Sequence, residues 1–268
     1  MFRSRVVPRW LPTAVAERLG VDPRGLAALR VAVGTLLLVD LALRARDLRT
    51  FYTDAGALPR AALQSALVLL ASLHARNPLL LNGGDSVLRR LLIWMALLPL
   101  GSRWSLDALR REATGDRPRR APVVTVASAG LLIQVVAVYL VNGLFKLRSD
   151  AWTRGVALEY VFSLDQITVL LGDALATRPA LLGVVEPVWL GLLLGSVGLV
   201  ALTGRRRTAL VCAFAGAHLS MFLTMRLGIF PLISLAALVP FLPPSVWDRV
   251  ETAVDRPALD TLATAPAR

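Results

Sequence analysis

The chain is poor in the residues from which most soluble sites are built. Its 268 residues include one cysteine, Cys212, and two histidines, His74 and His218. A single cysteine excludes a disulfide framework and any cysteine-based zinc site. Two histidines leave no His-rich centre, so no metal is expected. Charged residues make up only 18% of the chain, where soluble domains average about 25%. No Walker loop, dinucleotide glycine fingerprint, HExxH or GxSxG occurs, so nothing in the sequence points to the chemistries those motifs carry.

What is present is apolar. Hydrophobic residues reach 56%, too many for a soluble globule and far too many for disorder. The composition specifies an integral membrane protein. The thirty basic residues are twenty-nine arginines and one lysine, Lys146, and the net charge is +12. The arginines sit in short clusters between apolar runs, the pattern of cytoplasmic membrane loops, so the partner is a lipid bilayer and no nucleic acid is expected.

The predicted fold is all-α, a polytopic transmembrane bundle of about six or seven hydrophobic segments. The runs at 25–43, 121–145, 180–203 and 208–225 are long enough to cross a bilayer core of about 30 Å. Shorter apolar runs lie at 61–73, 87–100 and 228–242. Residues 1–24 read as a basic, polar N-terminal segment, 25–242 as one membrane domain, and 243–268 as a flexible tail. The Arg-rich stretches 102–120 and 205–207 belong in the cytoplasm, which puts the charge-balanced segment 146–178 outside. Counting every segment as a crossing then places the N-terminus outside, although its five arginines require it inside. The run Ala61–Leu73 is short for a crossing and is the segment least suited to be one.

Few residues are suited to chemistry. On a helix Tyr139, Asn142 and Lys146 share a face, at the outer end of the span 121–145. Position alone reads Lys146 as an interfacial anchor. A chain that otherwise uses arginine throughout has nonetheless kept a lysine here, and lysine offers a neutral form usable as a base where arginine does not. His218 lies inside a span, where ionisable groups are functional candidates, although a hydrogen-bonded core histidine is the simpler reading. His74 reads as interfacial. Glu159 lies seven residues after Trp152, and helical phase leaves Arg154 and Lys146 open as its partners.

Several stretches resemble one family. Leu29-Arg30, and the run Phe51-Tyr52-Thr53-Asp54-Ala55-Gly56-Ala57-Leu58-Pro59-Arg60, resemble the opening of the HTTM (horizontally transferred transmembrane) family, which is related to the membrane part of vitamin K-dependent gamma-glutamyl carboxylase. Arg103-Trp104-Ser105-Leu106-Asp107 looks like the family's tryptophan-serine-x-aspartate element. Tyr139 to Tyr160, with Gly143, Lys146, Trp152, Gly155 and Glu159, looks like the carboxylase segment around its proposed catalytic lysine. His218 with Gly228-Ile229-Phe230-Pro231 looks like a later family helix. The resemblance covers most of residues 25–243.

The resemblance implies a cell-membrane, multi-pass protein acting on a reduced quinone (vitamin K-like). The carboxylase lysine is thought to deprotonate vitamin K hydroquinone, so that oxygen attack yields a basic alkoxide and then the epoxide. By resemblance Lys146 takes the base role, and Tyr139, Asn142, Trp152, Glu159 and His218 form the substrate-binding set. A histidine of the carboxylase's quinone pocket falls at Gly84 here. The chain also has no room for the carboxylase's β-rich extracytoplasmic domain, so carboxylation of a protein substrate is not expected. Relatives carry a further hydrophobic helix after the position of Arg60, and its loss would account for the parity of crossings. The alternative is a non-enzymatic scaffold, lipid-binding protein or small-solute carrier, in which Lys146 is an anchor. A carrier should show broken helices in both halves, but Pro187 and Pro231 both lie in the second.

Overall fold

A computed structural model describes residues 13–46, 83–115 and 121–263. Its elements are α-helical: α1 (Thr13–Leu19), α2 (Pro23–Arg46), α3 (Gly83–Met95), α4 (Leu106–Ala113), α5 (Val126–Leu147), α6 (Asp150–Thr153), α7 (Ala157–Phe162), α8 (Gly172–Ala176), α9 (Pro179–Leu194), α10 (Gly198–Ala201), α11 (Gly204–Thr224), α12 (Phe230–Leu238) and α13 (Pro244–Ala263). Among the described residues, β pairing is limited to two isolated bridges, Val21 with Val123 and Thr168 with Met225.

Among the described residues, four helical stretches are long and apolar enough to cross a membrane: Pro23–Leu43, Val126–Leu147, Pro179–Ala201 and Gly204–Thr224. A fifth candidate is the pair Phe230–Phe241 and Pro244–Ala253, bent by 105°. Against these four or five among the described residues, the expected six or seven segments is a slight overcount. The run at 87–100 forms a helix of 13 residues followed by a turn and a short 3-10 piece, too short to span alone. The run Ala61–Leu73, the motif at 51–60 and His74 lie outside the described residues. Leu38, Ile133, Val184, Val188 and Leu219 point outward from the spans, the aliphatic surface that lipid covers.

Local chemistry sets the helix ends. Thr125 and Ser128 form a reciprocal capping box at the start of α5, satisfying two N–H groups that the first turn leaves without intrahelical partners. Ser105 caps α4 by accepting from Ala108 N. Proline opens α9 and α12, where its missing N–H costs nothing. The segment 167–171 donates from Val169 N and Leu171 N to the Thr224 and Leu223 carbonyls, capping the end of α11.

Two ends of the bundle follow from these contacts. At one, Val21 pairs with Val123, Arg18 donates to the Ala201 carbonyl and Arg207 to the Arg18 carbonyl. Arg30 donates to the Leu100 and Trp104 carbonyls at the same end. The stretches around 103–111 and 205–207 thus share it, while Lys146 and residues 148–178 occupy the other. The start of α2 and the residues that follow α3 both lie at the Arg-rich end.

Residues 244–263, expected as a tail, form α13 instead. The Arg24 guanidinium binds Asp22 at 3.0 Å, Asp248 at 2.8 Å and Glu251 at 3.0 Å, and Arg103 also binds Glu251. The acids that made this stretch look solvated are the ones that dock it. The core is apolar, built from α2, α3, α5, α11 and α12 around Leu26, Leu91, Leu131, Phe214 and Ile233.

Candidate functional site

A partly open, largely apolar cavity of about 330 Å³ lies between α5, α9, α11 and α12 and is bordered by Gly83 of α3 and by α7. That volume is at the lower end of small-molecule pockets, about 300–1,000 Å³. Five of the residues singled out in the sequence line it: Tyr139, Asn142, Lys146, Trp152 and His218. The sixth, Glu159, is exposed and is not among the lining residues. It sits on the outward side of α7, while Leu158 and Val161 of that helix turn inward.

The face predicted for α5 sets the layout. Tyr139 and Lys146 are seven residues apart, about 10.5 Å along the axis at 1.5 Å per residue. At the outer end the Lys146 amine lies 3.4 Å from the centre of the Trp152 ring, a cation–π arrangement. Among the described residues Lys146 has no ion-pair partner within 4 Å, and the charge of Glu186 acts on it from farther away. At the inner end the Tyr139 hydroxyl and His218 Nε2 are 2.9 Å apart, both residues buried. Phe214 stacks on Tyr139 at 4.5 Å, and Trp189 and Phe230 stand edge-on to the His218 ring.

A buried acid completes the site. Glu186 is 1% exposed within the span of α9. Its carboxylate accepts from Ala157 N at 3.3 Å and Leu158 N at 3.0 Å, so a side chain of α9 caps α7. The next residue, Pro187, lies inside the helix. An acid inside a span is a recognisable signal; this one was passed over because it stood near the start of its segment.

The family model described as HTTM domain matches residues 86–247. The chain belongs to the HTTM family. No curated protein and no solved structure matches it. This HTTM protein is an integral membrane protein, and the matched region contains every residue lining the cavity except Gly83.

Within the HTTM protein the sequence also missed Gln134, Trp189 and Phe230, which line the same cavity. Gln134 could have been found as an amide inside an apolar run. The aromatic residues carry no such signal, because they meet only where α9, α11 and α12 pack. Among the described residues no group of three or more His, Cys, Asp or Glu is arranged to hold a metal ion.

Proposed function

We propose that this protein is a multi-pass protein of the cell membrane that admits the ring of a quinol-type lipid into the cavity, where Lys146 acts as general base on a ring hydroxyl. The observation that carries this reading is the position of the chain's one lysine: it lines an apolar cavity with an aromatic face, not a carboxylate, as its nearest partner.

In the proposed step the ring O–H bond breaks, its electron pair stays on the oxygen as a phenolate, and the proton joins the Lys146 amine. The Trp152 face favours the ammonium so formed. The apolar walls keep water from competing for the proton. Arginine keeps the positive charge but has no neutral form with which to accept a proton.

The Lys146–Trp152 stack also suits a site that holds a lipid without turning it over. Lys146→Arg separates the two readings. With the protein in lipid nanodiscs and a reduced isoprenoid naphthoquinone as probe, wild type is expected to form phenolate, read by its absorbance. The variant should bind the probe without forming phenolate. Equal phenolate in both removes the base and leaves the binding site.

A further inference from the structure

We infer that the inner end of the cavity binds a carbonyl oxygen of an apolar ligand, with the Nδ1–H of His218 as the principal donor and the Gln134 amide as a second. This builds on the reading of the cavity as a lipid-ring site, but not on proton transfer to Lys146. It assigns the acceptor that the inner end takes, a group that the oxidised, quinone form of such a ring carries.

The tautomer follows from counting hydrogen bonds. Tyr139 Oη and His218 Nε2 share one hydrogen bond of 2.9 Å. If Nε2–H donates to the tyrosine, the tyrosine hydrogen lacks an acceptor and His218 Nδ1 lacks a donor, leaving two buried polar groups unmatched. If the tyrosine donates to Nε2, the proton sits on Nδ1 and only one group is left over. The second arrangement costs less. It leaves His218 with a buried N–H that has no partner among the described residues.

The Gln134 amide nitrogen, on another wall of the same cavity, is likewise buried and unpartnered. Trp189 and Phe230 stand edge-on to the histidine at 5.7 and 5.9 Å and bring no carbonyl or carboxylate oxygen to it. Two unmatched donors in an apolar surround select for a ligand that brings an acceptor without bringing charge, and a carbonyl does that.

A quinone, the oxidised form of the ring proposed for this cavity, carries such a carbonyl. A phospholipid ester carbonyl offers the same acceptor, so the test separates the two sources.

The probes are 2-methyl-1,4-naphthoquinone, labelled with ¹³C at its carbonyls, and 2-methylnaphthalene, which has the same ring and no acceptor. Both are titrated into wild-type protein in nanodiscs of ether-linked phosphatidylcholine, which contains no carbonyl. Tryptophan quenching reports affinity and infrared absorption reports the carbonyl stretch. The quinone should bind with its stretch moved to lower frequency, and methylnaphthalene should bind about five- to tenfold more weakly, the value of one hydrogen bond.

His218→Leu should remove the shift and weaken quinone binding by a similar factor. Tyr139→Phe, which keeps the ring and frees the tautomer, should reduce both effects. Lys146→Arg should keep the shift, so phenolate equal to wild type in that variant, with the shift retained, sinks the base reading and leaves this one standing. In ester-linked lipid, weaker quinone binding identifies the phospholipid carbonyl as a competitor for the same donors; unchanged binding identifies the quinone as the ligand. Equal affinity for the two probes in wild type, or a shift that survives in His218→Leu, overturns the inference.

Discussion

The Lys146 amine stands 3.4 Å from the centre of the Trp152 ring, across the turn that joins the span Val126–Leu147 to the short helix Asp150–Thr153. The contact ties the outer end of α5 to the segment that follows it and covers one side of the amine. Because the chain has a single lysine, an amine-directed reagent reports on this one side chain and on the N-terminus alone.

Acylation of Lys146 in detergent should therefore be slow and should speed up when the aromatic face is removed. For Trp152→Leu, loss of a contact worth about 1 kcal/mol corresponds to about a fivefold faster rate. Mass spectrometry of the Lys146 peptide checks it, and an unchanged rate means that the stack does not shield the amine.

Glu186 should behave as a structural cap. Glu186→Ala leaves the N–H groups of Ala157 and Leu158 without their acceptor and should lower stability by about 2–4 kcal/mol. Glu186→Gln keeps one acceptor oxygen and should cost about half as much. Equilibrium unfolding in mixed detergent micelles measures both, and equal losses would mean that charge, not hydrogen bonding, is what the site uses.

Close approach of α3 and α5 depends on Gly130. A Cβ there would stand within 2.4–2.8 Å of three atoms of the Trp94 ring, so Gly130→Ala must move the indole and should destabilise by about 1–3 kcal/mol. At Gly191, where a Cβ meets nothing within 4 Å, alanine should be neutral or slightly stabilising. The pair of thermal melts distinguishes local crowding from a general intolerance of alanine.

Arg24 is the pin of the last helix. Arg24→Met leaves Asp22, buried at 4% exposure, without its guanidinium, and losing one partner of a buried ion pair costs about 3–5 kcal/mol. Limited proteolysis should then cut within 244–263. Adding Asp22→Asn should recover part of the loss, because the uncompensated charge goes with it.

The spans were legible because hydropathy is a property of the segment itself. Runs at 121–145 and 208–225 correspond to Val126–Leu147 and Gly204–Thr224, displaced by a few residues where caps such as Thr125 and Ser128 decide the start. The tail was not legible. Its Asp248 and Glu251 suggest solvent until their partner Arg24, more than 220 residues earlier, is seen beside them. Glu159 and Glu186 show the same limit at the site. The motif-like neighbourhood of Glu159 drew attention to an acid that faces outward, whereas the acid that caps α7 came from another helix.

Composition and order along the chain settled the class of protein, the position of its long spans and the clustering of its arginines. Those follow from each residue's own free energy in lipid or water and from the fixed length needed to cross a bilayer. They also placed Tyr139, Asn142 and Lys146 on one face, because helical periodicity is local. Only packing brought Tyr139 to His218 and Glu186 to the start of α7, and only packing turned Glu159 away. These are contacts between helices, set by how side-chain surfaces interlock, and no run of residues read by itself contains that information.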